Sequence, residues 1–182
     1  MRLSDCELLI VPGYESSGPA HWQTLWEQAF GARRVEQVSW THPRREPWVS
    51  RIVEEVQRAT RPVVIIAHSL GVAAVAHAVP RFPAAVVRGA FLVAPPDVED
   101  PTLLPELELD FAPLPRTPLP FHSTLVASHS DPYATFEKVQ GLAASWGSTL
   151  FDAGDAGHIN TASGHGTWFA GFRALDQLVA MI

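Results

Sequence analysis

The chain has 182 residues, a net charge of −6, 47% hydrophobic residues and 18% charged residues. This length suits one domain with a sizeable core, burying about 70% of the unfolded surface, and the composition excludes disorder as the main state. The acidic balance argues against nucleic-acid binding, and the single cysteine, Cys6, excludes an internal disulfide and a Cys-rich zinc site.

The N-terminal segment carries Asp5 and Glu7, so it lacks the apolar core of a secretion signal. No apolar run approaches the ~20 residues of a membrane helix. The expectation is a cytoplasmic protein without membrane association. Leu8-Leu9-Ile10-Val11 then reads as a buried strand. From Ala20 to Phe30, Trp22, Leu25, Trp26, Ala29 and Phe30 share a helical face. Arg34 to Trp40 alternates weakly, as a second strand would. Pro47 to Ala59 is helical, with Val49, Ile52, Val53 and Val56 on one side. Val63 to Ala67 is a continuous β-branched run after Pro62, which suits a strand covered on both faces. Gly71 to Val79 is an alanine-rich helix. Gly89–Ala94, Thr124–Ala127 and Thr149–Phe151 read as strands four to six, with a helix marked by Phe136, Val139, Leu142, Ala143 and Trp146 before the last. Trp168, Phe172, Leu175, Val179 and Ile182 step by four and three and form the final helix. This alternation implies βαβ units and a mostly parallel sheet.

Residues 95–120 break the rhythm. They hold eight of the sixteen prolines and the acids Asp97, Glu99, Asp100, Glu106, Glu108 and Asp110. A long loop in a compact domain is usually functional or disordered. Because it follows a strand, it reads as a flap over the carboxyl edge of the sheet, the alternative being a solvated excursion.

Ala67-His68-Ser69-Leu70-Gly71 sits between the clearest strand and a helix. That is the context of a nucleophile elbow, a tight turn that needs small residues on either side and projects a serine hydroxyl from the sheet edge. Gly71 meets this need, and Ala67 stands where glycine is usual. A helix-capping serine is the rival reading. A serine nucleophile needs a base, and the base needs an orienting acid. In the order Ser, acid, His, the chain offers Asp131 in Ser130-Asp131-Pro132-Tyr133 and His158 in Gly157-His158-Ile159-Asn160. His165 and Asp97 are the competing choices, and Asp131-Pro132 alone would be a turn starter. His68 adjoins Ser69 and is not expected to act as its base. The oxyanion would take the amide of Leu70 and, from the loop after the first strand, that of Tyr14, with Gly13 permitting the turn. For a strand order of 2-1-3-4-5-6, these loops flank the switch-point crevice. Dinucleotide, P-loop and H-E-x-x-H patterns are missing from the sequence, so no cofactor and no metal are expected.

Val11-Pro12-Gly13-Tyr14, Ser17-Gly18-Pro19, His21-Trp22-Gln23, the elbow, Ser130-Asp131-Pro132-Tyr133, Gly157-His158-Ile159-Asn160, Ser163-Gly164 and Gly166-x-Trp168 together resemble the small serine hydrolases related to retinoblastoma-binding protein nine and bacterial YdeN, in the α/β-hydrolase superfamily. The resemblance spans most of the chain. It implies a compact sheet of about six strands in one domain over 1–182, without a large cap, and Ser69, Asp131 and His158 as a triad. Gly13, His68 and Trp168 are assigned to the substrate pocket. The expected activity is hydrolysis of a small carboxylic ester, thioester or amide. Two rivals stand beside it. One is a protein-binding module on the same scaffold, for which no sequence feature speaks. The other is a flavodoxin-like binding domain, disfavoured because Glu15 would repel phosphate in the first loop.

Overall fold

The computed structural model describes all residues except 104, 106 and 108. Glu106 and Glu108, counted above among the flap acids, therefore lie outside the described residues. Six parallel strands form one sheet: β1 (Glu7–Val11), β2 (Arg33–Arg34), β3 (Val63–His68), β4 (Val87–Val93), β5 (His122–Ala127) and β6 (Thr149–Asp152). Their order is β2-β1-β3-β4-β5-β6, as expected. The helices are α1 (Trp22–Phe30), α2 (Arg45–Gln57), α3 (Leu70–Ala78), α4 (Phe136–Trp146) and α5 (Phe169–Ala180).

Strand alternation divides the core into two layers. Leu9, Val11, Ile65, Ala67, Leu92 and Leu125 meet α2, α3 and α4 on one face. Leu8, Ile10, Val64, Ile66, Phe91 and Val126 meet α1 and α5 on the other. Both faces are covered, which explains the unbroken apolar run of β3. No helix among the described residues is long and apolar enough to cross a membrane.

The second strand is far shorter than Arg34 to Trp40. Its ladder ends because Pro12 has no N–H to continue β1 and because the chain beyond Val35 spends its carbonyls elsewhere. Glu36 O accepts from Arg51 Nε, Ser39 O from Trp48 Nε1 and Trp40 O from the Glu15 amide. The first helix starts later than Ala20, since His21 is its N-cap and accepts from the Gln23 amide at Nδ1.

The described part of 95–120 leaves the carboxyl end of β4, where the Asp97 amide donates to Tyr133 O, and packs against the helices. Phe111 and Leu114 are buried with Trp48 in the α2/α3/α4 layer. His77 Nε2 donates to Phe111 O, the Arg45 amide to Asp110, and Lys138 pairs with Asp97 and Glu99. Asp110 thus fastens the segment to α2, and Asp97 and Glu99 fasten it to α4.

Candidate functional site

Ser69 stands between β3 and α3 at φ 55°, ψ −128°, a conformation that costs a non-glycine residue of order 1–3 kcal/mol. Its side chain makes no helix-cap hydrogen bond. The capping-serine reading therefore fails, and the hydroxyl is free for another partner. Gly71 explains how α3 docks so close to β1. A Cβ there would stand 2.4 Å from Val11 O and 2.6 Å from Pro12 O. Both obstacles are backbone, so neither can swing away. Gly71→Val is expected to destabilise the fold by about 3 kcal/mol or prevent folding, as measured by urea unfolding. An unchanged midpoint would contradict this packing. Ala67 needs no such freedom, because it lies in the regular ladder between Val11 and Leu92.

His158 Nε2 lies 2.8 Å from Ser69 Oγ, and His158 Nδ1 lies 2.9 and 3.0 Å from the two Asp131 oxygens. A carboxylate only accepts, so Nδ1 carries the proton, and the Nε2 lone pair accepts from the serine hydroxyl. The Asp131 side chain is 2% exposed and also accepts from the Tyr133 amide at Oδ1. The His158 loop is pinned from three sides. Trp22 Nε1 donates to Ile159 O, His68 Nε2 donates to His158 O, and the Gly157 amide donates to Ser130 Oγ. Gly157 adopts φ 57° there, and Ile159 φ 50°.

A cleft of about 420 Å³ opens beside Ser69, lined by the β1–α1 loop, the elbow, Tyr133 and residues 158–162. Gly13 brings the first of these loops onto the elbow: a Cβ on it would meet Ser69 Cβ at 2.8 Å and Leu70 N at 3.1 Å. The amides of Tyr14 and Leu70 have no acceptor among the described residues, so both N–H groups are unspent. No group of three or more His, Cys, Asp or Glu among the described residues could hold a metal ion.

A family model described as serine hydrolase matches residues 8–177. The chain belongs to the serine hydrolase family. It is 34% identical to a YdeN-like hydrolase from Pectobacterium atrosepticum, over 98% of this chain and 94% of that one, with a TM-score of 0.86. The B. subtilis ydeN gene product is 21% identical, over 96% and 99%, at TM-score 0.79. Esterase 2 of Thermogutta terrifontis shares the fold at 16% identity, over 100% and 85%, at TM-score 0.68. No curated protein matches the chain.

Within this serine hydrolase the rival residues are engaged elsewhere. His165 Nδ1 is 3.1 Å from Ser163 Oγ, and the Asp97 carboxylate is paired with Lys138. Gly13, Tyr14, His68 and Leu70 line the cleft with Ser69 and His158. Trp168 does not. It stacks on Trp26 at 5.9 Å, meets Trp22 at 5.1 Å, and lies in the α1/α5 layer. A helical stripe reaching the cleft and one reaching the core look alike in sequence, and here three tryptophans close the core. Sequence reasoning missed Gln23. Its buried amide accepts from Ser17 Oγ and donates to Val11 O and Ile66 O, tying together the ends of β1 and β3. The His21-Trp22-Gln23 motif was its only signal.

His21 also lines the cleft. Burial, assisted by the nearby Arg34 charge, pushes its pKa down to about 4, and burial pushes His68 well below the ordinary histidine value. Both imidazoles are therefore neutral at neutral pH. The unfolded chain takes up these protons near pH 6.5, while folded His21 waits until about 4. The folded state binds fewer protons in that window, so stability falls as pH drops through it. From His21 alone the loss is about 3 kcal/mol across the window. The urea midpoint is expected to fall between about pH 7 and about pH 5, less steeply in His21→Asn. A midpoint constant over this range would contradict buried neutral imidazoles.

Proposed function

We propose that the protein hydrolyses a small carboxylic ester through an acyl-enzyme on Ser69, with thioesters and amides open to the same chemistry. The observation that carries this reading is the unbroken hydrogen-bond chain from Asp131 through His158 to an uncapped Ser69 hydroxyl at the mouth of a cleft. Ser69 Oγ attacks the carbonyl carbon while His158 Nε2 takes its proton. Asp131 keeps the Nδ1–H tautomer and stabilises the imidazolium. The carbonyl oxygen becomes an oxyanion between the Leu70 and Tyr14 amides. The C–O bond to the alcohol then breaks, with the alcohol leaving on the proton from Nε2. Water repeats the sequence, giving up a proton to His158 and releasing the acid and free Ser69.

One fold neighbour, Thermogutta terrifontis esterase 2, is an esterase by name, which supports ester as the bond. The cleft volume and its polar lining suit a substrate of modest size. Glu15, which lines the cleft and is exposed, opposes anionic substrates. The test is a panel of neutral p-nitrophenyl acyl esters of graded chain length. Turnover that peaks at short acyl chains is the expected result. Folded protein that turns over none of them would overturn the esterase reading.

A further inference from the structure

Oxyanion binding needs the Tyr14 amide held against the elbow, yet the loop that carries it is strained. The Ser16 amide closes a turn onto Gly13 O at 3.1 Å, and Glu15 and Ser16, neither a glycine, adopt φ 60° and 63°. Successive residues of this kind persist only where the surroundings hold them. The holder comes from β2. Arg34 pairs in register with Ile10, and its side chain, 11% exposed, reaches back under the loop. Nη1 donates to Ser16 Oγ at 3.0 Å and to Ser17 O at 3.2 Å. Nη2 donates to Thr24 Oγ1 at 2.7 Å, and that hydroxyl donates in turn to Ser17 O at 2.9 Å. Nε donates to Glu27 Oε2 at 2.8 Å, which fixes the plane of the guanidinium.

We infer that Arg34 is a positioning residue for the oxyanion site: it clamps Ser16 and Ser17 and so holds the strained Glu15–Ser16 pair, which keeps the Tyr14 amide aimed at the reacting carbonyl. The inference rests on the proposed acyl-enzyme chemistry. A rigid fork suits this task, because one planar group reaches four acceptors on two elements. An ammonium on a flexible stem serves fewer of them at once. Arg34 does not itself line the cleft and reaches it only through Ser16, so its effect passes through the loop. The amide it aims matters only when the carbonyl oxygen carries charge. Loss of the clamp should therefore weaken the transition state and leave substrate binding alone.

The experiment compares the parent with Arg34→Met, Arg34→Lys and Ser16→Ala, with rates normalised to phosphonate-titrated sites. Besides kcat and KM, it reads inhibition by an alkyl boronic acid, which forms a tetrahedral adduct on serine, and by the planar product carboxylate. In Arg34→Met, kcat is expected to fall about 10- to 100-fold and boronate affinity to fall in parallel. KM and carboxylate inhibition stay within about twofold. Arg34→Lys recovers little of the loss. Ser16→Ala, which removes only a hydroxyl that Arg34 holds, lowers kcat about three- to tenfold and costs nothing further in the Arg34→Met background. Ser16→Ala keeps the test decisive should Arg34→Met fail to fold. An active parent whose variants keep kcat per titrated site and boronate affinity, whatever their thermal stability, overturns the inference alone. A parent that neither turns over esters nor binds the boronate overturns the acyl-enzyme reading and this inference with it.

Discussion

Ser69→Ala is expected to lower ester turnover by about 10⁴-fold or more while leaving the fold intact. The size of the effect follows from chemistry. Without the hydroxyl, the acyl-enzyme route is closed, and only water activated near His158 remains. The fold should tolerate the change well, because the Ser69 hydroxyl caps no helix and, among the described residues, its side-chain partner is His158 alone. Alanine occupies φ 55° with the same Cβ as serine, so the backbone strain is common to parent and variant. Turnover of purified variant against parent on the preferred ester checks the expectation. A variant within about tenfold of the parent would mean that the measured hydrolysis belongs to another residue or a contaminant.

The second large effect is Asp131→Asn, for which kcat is expected to fall about 10⁴-fold with little change in KM or unfolding midpoint. The Tyr133 amide donates to Asp131 Oδ1, and an asparagine would keep its carbonyl oxygen on that donor. Its NH₂ group would then face His158 Nδ1 and donate to it. The imidazole proton would be driven to Nε2, where it opposes the Ser69 hydroxyl instead of accepting from it. Volume, burial and the turn at 131–133 are all preserved, so the loss isolates the tautomer. A decrease of less than about tenfold would contradict the role given to Asp131.

Much of the architecture was legible because the signals are local. The β-branched run at 63–67 and the alanine-rich helix behind it leave little choice for the elbow, and the tight turn demands small neighbours. The hydrogen-bond chain joins residues 69, 131 and 158 across three loops. Such proximity was readable only as an order along the chain at successive carboxyl ends of a parallel sheet. What escaped depends on tertiary partners. Trp168 sits on a regular apolar stripe, and only the tryptophans of α1 decide that it serves the core. Arg34 is one of two arginines in a two-residue strand, and nothing nearby in sequence tells that it turns toward Ser16 while Arg33 turns toward Glu7 and Glu55. His68 lines the cleft beside Ser69. Its bond to the His158 carbonyl joins residues ninety apart and has no sequence trace. Composition marks the proline-rich segment but does not say which helix residues its acids pair with.

The measurement that bears most directly on the acyl-enzyme reading is fluorophosphonate labelling, followed by intact-mass analysis and peptide mapping. It compares the parent with Ser69→Ala, His158→Ala and His165→Ala. One adduct mapped to Ser69 is expected in the parent and in His165→Ala, none in Ser69→Ala, and labelling slower by about 10³-fold or more in His158→Ala. Folded parent protein that takes no label, or takes it at a residue other than Ser69, would contradict an activated serine at the elbow.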